Sequence, residues 1–265
     1  RKIEELYHKL YGAFSARYPD VTFAWSYKTN YLNEVCKVYH DLGSIAEVVS
    51  EFEYQKARAL GIEGKDIIFN GPYKPYADLK IAVEEGAKIH VDNLFELDDL
   101  EKIADELGVK IPVAIRINMD TGTYPQWSRF GFNYESSEAY EAIKKMYDGG
   151  KLYLNGLHTH IGTFMLDANA YKLATIKIMQ LKERVERDFN AEIEYIDLGG
   201  GFASKSNLKS TYQSVDVIVP TADDYAEAII NVIYEMNKSE NLPKLVLETG
   251  RALIDEAGFL LTSVH

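Results

Sequence analysis

Residues 88–118 read KIHVDNLFELDDLEKIADELGVKIPVAIRIN and show the pattern that decides the fold. A short apolar run, Lys88–Asp92, is followed by the helical periodicity of Leu94–Leu107, and Gly108 is a typical residue to end that helix. A second apolar run, Pro112–Asn118, comes next. The segment therefore predicts a strand, a helix and another strand in succession, which is the repeating unit of parallel sheets.

The same alternation extends in both directions along the chain. Short apolar or β-branched runs occur eight times, at Thr22–Tyr27, Ala46–Val49, Ile67–Asn70, Lys88–Asp92, Pro112–Asn118, Tyr153–His160, Ile193–Leu198 and Leu245–Glu248. Helical patterns lie between them, among others at Tyr31–Leu42, Pro75–Gly86, Leu94–Leu107, Ser136–Tyr147, Asn169–Phe189 and Ala222–Asn237. Eight such units in 265 residues predict an α/β protein with a closed (β/α)8 TIM barrel, and a doubly wound open sheet is the alternative.

Composition limits the classes of protein to which the chain can belong. It is 46% hydrophobic and 26% charged, which fits one compact domain over residues 1–265. The net charge of −12 argues against a nucleic-acid partner, because the 29 lysines and arginines are scattered. The sequence has no apolar run of about 18 residues for a membrane and no signal-peptide pattern at its start. The single cysteine, Cys36, excludes an internal disulfide, so we expect a cytoplasmic protein.

Two features lie outside the alternation. The polar stretch Ser204–Ser214 is the one irregular insertion, which we interpret as a solvated loop, with a mobile loop over the site as the alternative. The sequence stops about seventeen residues after the eighth run, where a last helix is needed to complete the outer ring. We therefore treat both ends as possible boundaries within a longer protein that carries a further domain.

Reactive side chains collect where the predicted strands end, which is the rim on which barrel enzymes carry their sites. Lys28 directly follows the first run. A lysine at a strand end ordinarily reaches for solvent, but in a barrel mouth desolvation can remove its proton and leave a nucleophile. Gly199, Gly200 and Gly201 follow the seventh run and can form a nest of N–H groups for a phosphate, with a tight turn as the plainer reading.

The sixth and eighth runs supply the other candidates. His158 and His160 share a face of a strand, so they could be a metal pair with His90, or one ring could be a flat wall for an aromatic ligand. Glu248 and Arg251 could form a salt bridge, or Arg251 could bind a phosphate while Glu248 holds a protonated ring nitrogen. A lysine, a flat histidine, a phosphate nest and a carboxylate are the groups that pyridoxal 5′-phosphate requires, so we predict this cofactor and assign no metal.

In their order along the chain, these motifs resemble the fold-type III pyridoxal-phosphate-dependent decarboxylases, which include diaminopimelate and ornithine decarboxylases. The matching stretches are YKTN (27–30), EVVS (47–50), NGPYK (70–74), VDN (91–93), SRFGF (128–132), HTHIGT (158–163), GGGF (199–202) and ETGR (248–251). The resemblance covers nearly the whole chain. It implies a barrel of the alanine racemase-like, pyridoxal-phosphate-binding type.

The resemblance also implies roles for individual residues. Lys28 carries the cofactor as a Schiff base, His160 stacks on the ring and Glu248 holds the pyridine nitrogen. Glu47 stands near the Schiff base, where the family usually has aspartate, and Arg116 matches an arginine behind the histidine. The residues implied for the phosphate and its surroundings are Gly199, Gly200, Gly201, Gly250, Arg251 and Thr163.

The implied activity is decarboxylation of a small-molecule substrate, an amino acid, with diaminopimelate slightly preferred over ornithine, lysine or arginine. Family members act as homodimers, and a C-terminal β-domain supplies a catalytic cysteine and tyrosine that this sequence does not show. ETGR also replaces the usual EPGR, which alters rigidity more than charge. The alternatives are a racemase on the same barrel, a metal-dependent hydrolase, and a barrel that binds the cofactor without turnover, including the small barrel-only pyridoxal-phosphate-binding proteins.

Overall fold

The structure is a computed structural model that describes residues 1–123, 128–205, 214, 218–258 and 263, so most of the polar insertion at Ser204–Ser214 lies outside the described residues. The strands are β1 (Val21–Ser26), β2 (Ile45–Val48), β3 (Ile67–Phe69), β4 (Lys88–Val91), β5 (Ile111–Asn118), β6 (Phe132–Asn133), β7 (Leu152–Thr159), β8 (Tyr195–Asp197) and β9 (Lys244–Thr249). The helices are α1 (Lys2–Ser15), α2 (Asn33–Asp41), α3 (Glu51–Ala59), α4 (Tyr76–Glu84), α5 (Leu94–Leu107), α6 (Glu138–Gly149), α7 (Ala168–Phe189), α8 (Ala222–Met236) and α9 (Arg251–Ile254).

Within the described ranges, eight parallel strands close into one barrel in the order β1, β2, β3, β4, β5, β7, β8 and β9. The ring closes between β9 and β1, where Glu248 lies opposite Ala24 in the register. The pairing of β4 with β5 joins the two halves of the sheet. The predicted (β/α)8 barrel is therefore confirmed, and the open doubly wound sheet was the wrong alternative.

The predicted elements agree with the observed ones to within about two residues at each end. Helix α5 covers the predicted span; the side chain of Asn93 accepts the N–H of Glu96 at 3.2 Å, and Gly108 ends the helix with a left-handed φ of 66°. Strand β6, which pairs with β5 outside the ring, was not predicted, because two residues are too short to show a period.

Side chains from alternate strands fill the barrel in layers, as expected for this fold. One layer contains Ala24, Ile68, Ala114 and Tyr195, and the Tyr195 hydroxyl is the polar group among these four side chains. The ring of Tyr195 occupies the space beside Gly156, where an added Cβ would lie 2.3 Å from a ring carbon. The other four strands contribute buried polar side chains near their carboxyl ends, namely Glu47, His90, His158 and Glu248. The interior thus changes from apolar to polar toward the mouth.

The outer helices cover the apolar outside of the barrel. In α1, the rings of Tyr7 and Phe14 pack against Phe23 of β1, with centroids 5.5 and 6.4 Å away. Cys36 is buried in α2, which agrees with a structural role. None of the helices described combines the length and the apolar character that crossing a membrane requires.

Candidate active site

A cavity of about 550 Å³ opens at the carboxyl ends of the strands. Its volume lies in the range of sites that hold small molecules. Eight of the eleven predicted site residues line it: Lys28, His160, Thr163, Gly200, Gly201, Glu248, Gly250 and Arg251. Glu47, Gly199 and Arg116 are not part of its wall. The structure therefore brings most of the predicted site together from β1, β7, β8 and β9.

Lys28 follows β1, and its Nζ atom donates to Oε2 of Glu47 at 2.7 Å. Its side chain is 44% exposed, whereas that of Glu47 is fully buried. Burial lowers the pKa of Lys28, but the carboxylates of Glu47 and Glu248 raise it further than burial lowers it, so the pKa is above its ordinary value. Desolvation alone does not remove the proton, contrary to the expectation from the sequence. Lys28 is an ammonium group whose proton faces a carboxylate.

Glu47 has the properties of a proton acceptor for Lys28. Burial raises the pKa of Glu47 above its ordinary value, and the charge of Lys28 partly opposes that rise. Its second oxygen, Oε1, is buried without a hydrogen-bond partner in the part of the chain that the structure describes. A buried carboxylate binds a proton more readily than an exposed one. Oε2 of Glu47 is therefore a suitable acceptor for a proton released by Lys28.

The ring of His160 is fixed by the backbone. Its Nδ1 atom accepts the N–H of Gly200 at 3.2 Å, so in the neutral ring the proton is on Nε2. Burial and, to a lesser extent, the charge of Lys28 lower the pKa of His160 to about 3. A neutral and anchored imidazole in the cavity wall matches the predicted flat surface for an aromatic ligand.

The glycine loop that follows β8 differs in detail from the predicted nest. Gly199 has a left-handed φ of 66° and donates its N–H to Oδ1 of Asp197 at 2.8 Å. Gly200 donates its N–H to His160. Two of the three predicted donors are thus used within the protein. A phosphate bound here would therefore depend more on the N–H of Gly201 and on neighbouring side chains than on the N–H groups of Gly199 and Gly200.

The same loop is shaped so that side chains are excluded from it. A Cβ on Gly200 would lie 2.1 Å from the carbonyl oxygen of Glu248, and one on Gly201 would lie 2.2 Å from that of Gly162. Both contacts are with backbone, which has little freedom to move away. Only glycine therefore lets the chain run along this wall of the cavity, which is the close approach that an anion-binding loop requires.

The cationic group at this end of the cavity is Arg251, the first residue of α9. Its guanidinium carbon lies 5.5 Å from the centroid of the Phe164 ring. Thr163 adds a hydroxyl to the same wall. A guanidinium and a hydroxyl beside a glycine loop are suitable donors for a phosphate.

Glu248 has one satisfied and one unsatisfied oxygen. Oε1 accepts the Nδ2 of Asn70 at 2.6 Å and lies 3.3 Å from Nε2 of His158. Oε2 is buried and has no hydrogen-bond partner among the residues described. A buried acceptor of this kind needs a donor, and a protonated pyridine nitrogen would be one. The donor set of the cavity thus fits pyridoxal phosphate.

Below the cavity, four buried side chains each have one atom within 4.8 Å of the others: His90, His158, Asp197 and Glu248. This spacing could surround a cation, although contacts within the protein already engage the group, as in the 3.1 Å contact of His90 Nε2 with the Tyr195 hydroxyl. Burial raises the pKa of Asp197 well above its ordinary value, and the charge of Glu248 raises it as well. His160 is not one of the four, so the predicted pair of His158 and His160 does not form the cluster.

Arg116 occupies the predicted place on β5, opposite His158 in the register. Its Nη1 atom lies 3.5 Å from Oδ1 of Asp92, and its guanidinium lies 4.9 Å from the centroid of the Phe130 ring. These contacts place its charge behind the cavity. A direct contact with the cofactor stays a prediction.

Two residues of the site were not identified from the sequence. Asn70 belongs to the quoted stretch NGPYK and Asp197 to the seventh apolar run, yet neither was given a role. Both stand at or beside the last residue of a strand, which is the position that identified Lys28 and Glu248. The sequence could have marked them as strand-end residues, but only the structure shows that Asn70 reaches across the barrel to Glu248.

His90 gives a prediction about pH. Burial lowers the pKa of His90 well below its ordinary value, and His158 lowers it further. The folded protein keeps His90 neutral, while the unfolded chain protonates it below about pH 6.5, so acid favours unfolding. We expect the free energy of unfolding of the native protein minus that of His90→Gln to rise by about 1.4 kcal/mol per pH unit between about pH 4.5 and pH 6. Above about pH 7 this difference is expected to be constant.

Urea titrations of both proteins at several pH values measure that difference. Other groups titrate equally in the two proteins, so their contributions cancel. A difference that does not change with pH would show that His90 is protonated in the folded state.

Comparison with known proteins supports the interpretation of the cavity. Residues 2–255 match the family described as pyridoxal-dependent decarboxylase, pyridoxal binding domain. The chain is 33% identical over 251 residues to the diaminopimelate decarboxylase of Methanocaldococcus jannaschii, covering 91% of this chain and 56% of that protein. It is 31% identical over 265 residues to the diaminopimelate decarboxylase of Aquifex aeolicus, covering 96% of this chain and 59% of that protein.

Solved structures agree with the sequence comparison. The crystal structure of the M. jannaschii diaminopimelate decarboxylase superposes with a TM-score of 0.83 at 30% identity, over 95% of this chain and 59% of that one. The fold is also that of the lysine/ornithine decarboxylase from Vibrio vulnificus, at 22% identity and a TM-score of 0.76 over 95% of this chain and 61% of that one. The chain thus spans less than two thirds of the relatives it matches. It belongs to the pyridoxal-dependent decarboxylases, and residues 2–255 form the pyridoxal-binding domain of that family.

Proposed function

We propose that this barrel binds pyridoxal 5′-phosphate on Lys28 and takes part in the decarboxylation of an amino acid. The observation that carries the proposal is the composition of one cavity wall. An amine, an orphaned carboxylate oxygen, a neutral imidazole and a glycine loop with an arginine face the same space of about 550 Å³. Each of these groups matches one part of the cofactor.

When bound, pyridoxal phosphate supplies an electron-accepting ring that stabilises the charge left on the substrate when its carboxylate departs as CO2. The residues of the chain prepare the site for this chemistry. Oε2 of Glu248 would accept a hydrogen bond from a protonated ring nitrogen, the ring of His160 would face the cofactor ring, and Arg251 with Thr163 would bind the phosphate. Gly200, Gly201 and Gly250 keep that end of the cavity free of side chains.

Lys28 and Glu47 are placed to exchange a proton. The amine of Lys28 must lose its proton to bind covalently, and Oε2 of Glu47, at 2.7 Å, is placed to accept it. Whenever Lys28 is not bound covalently, the same carboxylate would stabilise its ammonium group. The pair would therefore serve both the attachment of Lys28 to the cofactor and its release from it. Glutamate in place of the usual aspartate still reaches Nζ directly.

The substrate is proposed from the relatives. The two described above are diaminopimelate decarboxylases, and the M. jannaschii structure was also determined with L-lysine, at 29% identity to this chain. We prefer diaminopimelate, with ornithine, lysine and arginine as alternatives. Because the chain spans 56% to 59% of these relatives, we further propose that the active protein includes a C-terminal β-domain and acts as a homodimer, in the cytoplasm.

A racemase on the same barrel is the nearest alternative. In racemases of the alanine racemase type, an arginine faces the ring nitrogen and leaves it unprotonated. Here the available group is Glu248, whose Oε2 can accept a hydrogen bond from a protonated nitrogen. The carboxylate favours decarboxylation because a protonated ring is the stronger electron acceptor.

The test uses the complete protein loaded with pyridoxal phosphate and a panel of amino acids that includes diaminopimelate. We expect release of CO2 from one of them without interconversion of its enantiomers. Racemisation without CO2 would favour the racemase. A visible absorption band with neither reaction would leave a barrel that binds the cofactor without turnover.

A further inference from the structure

Asn70 directly follows β3, and its side chain contacts Glu248, which lines the cavity. It is 3% exposed, and its Nδ2 atom lies 2.6 Å from Oε1 of Glu248. The two residues are 178 positions apart in the sequence, so the contact crosses the barrel. We propose that Asn70 is a positioning residue that fixes the orientation and charge of Glu248, so that Oε2 is presented to the ring nitrogen of the cofactor. This inference rests on the proposed function.

The chemistry of the contact determines which way the amide points. Glu248 offers only acceptors when ionised, so the Nδ2 group must face it, because Oδ1 in that position would set acceptor against acceptor. An N–H donor stabilises the ionised form of a carboxylate relative to the protonated form. Asn70 therefore favours a proton on the ring nitrogen over a proton on Glu248.

His158 lies beside this contact, and its Nε2 atom is 3.4 Å from Nδ2 of Asn70. His158 Nε2 lies 3.3 Å from the same Oε1 atom. Burial lowers the pKa of His158 well below its ordinary value, and Arg116 lowers it further, so the ring is neutral. Burial raises the pKa of Asp197, which disfavours its charged form. Oε2 of Glu248 has no hydrogen-bond partner among the described residues, so it is available to a ring nitrogen of the cofactor.

The backbone of Asn70 and of the loop after it is held by contacts with neighbouring residues. Its backbone N–H donates to the carbonyl of Val48 at 2.8 Å. At the next residue, Gly71, an added Cβ would lie 2.2 Å from the carbonyl oxygen of Val49. The buried Nζ of Lys74 donates to the carbonyl of Gly71 at 2.5 Å and pairs with Glu96 at 2.9 Å. A side chain whose backbone is held by such contacts keeps one orientation, so Asn70 can orient the side chain of Glu248.

The experiment measures the protonation of the ring nitrogen directly. The complete protein is loaded with pyridoxal phosphate labelled with 15N in the ring, and the 15N chemical shift is recorded. We expect the shift of a protonated nitrogen in the native protein. In Asn70→Ala we expect the equilibrium to move about tenfold or more toward the neutral nitrogen, since hydrogen bonds to charged groups are of that strength. Asn70→Ser, whose hydroxyl is too short to reach Glu248, should do the same if the alanine variant folds poorly.

Two further variants calibrate the result. Asn118→Ala removes another buried asparagine at a strand end, whose Nδ2 donates to the carbonyls of Phe130 and Gly131, and it should leave the 15N shift unchanged. Glu248→Gln removes the carboxylate and should give the unprotonated shift.

The outcomes separate this inference from the proposed function. A native protein that takes up no cofactor would refute the proposed function. A native protein with a protonated ring, and Asn70 variants with the same shift, would overturn the role of Asn70 alone. A tenfold displacement in both Asn70 variants, but not in Asn118→Ala, supports it.

Discussion

Replacement of Lys28 with alanine is expected to abolish the visible absorption band of the cofactor-loaded protein and to lower decarboxylation by about 10³-fold or more. The variant loses the amine through which the cofactor is held, and it leaves the buried carboxylate of Glu47 without its ion-pair partner. Spectra of native and variant proteins measure the band. Borohydride reduction followed by peptide mass analysis then identifies the labelled lysine.

The matched control for this prediction is Lys56→Ala. Lys56 lies in α3 with its Nζ 5.7 Å from the centroid of the Tyr31 ring, outside the cavity wall. That variant should keep both the band and the labelled peptide. If the label is found instead on Lys74, a buried lysine in the loop after β3, the assignment of Lys28 is wrong.

Replacement of Gly200 with alanine is expected to weaken binding of pyridoxal phosphate by about 10²-fold or more, because overpacking against backbone commonly costs up to about 3 kcal/mol. The new Cβ would lie 2.1 Å from the carbonyl oxygen of Glu248, so either the glycine loop or the end of β9 must shift. Both carry groups that face the cofactor. A titration of the apoprotein with pyridoxal phosphate, followed by absorbance, measures the dissociation constant.

Gly12→Ala is the control for Gly200→Ala. Gly12 lies inside α1, and an added Cβ would meet no atom within 4 Å. Alanine is the better helix former by up to about 1 kcal/mol, so this variant should be as stable as the native protein or slightly more stable. Its affinity for the cofactor should be unchanged. Equal affinities in all three proteins would contradict the proposed role of the glycine loop.

The sequence predicted the barrel because its elements are regular. Each strand of the ring is a short apolar run, and helical periods such as that of α5 are long enough to be recognised. Strand-end position then located Lys28, Glu248 and the glycine loop at one rim, since all strands of a parallel barrel end on the same side. These inferences needed the order of residues alone.

What could not be predicted depends on distances across the barrel. The charge state of Lys28 depends on Glu47 and Glu248, which are distant in sequence, and two opposing effects decide its sign. Likewise, the N–H groups of Gly199 and Gly200 could be assigned only after Asp197 and His160 were in place. Pairwise contacts among buried polar groups have no sequence period, so patterns along the chain do not report them.

The closure of the ring between β1 and β9 also has a consequence for folding kinetics. The register there joins Val21 to Leu245, so the pairing has one of the largest loop-closure costs in the chain and is expected late along the folding route. Lys28 lies just after β1, and Glu248 lies near the end of β9. Binding of the cofactor should therefore follow this late association of β1 with β9. A ligand present at 1,000 times its dissociation constant would then stabilise the closed barrel by about 4 kcal/mol. The bound cofactor would therefore stabilise the pairing of β1 with β9.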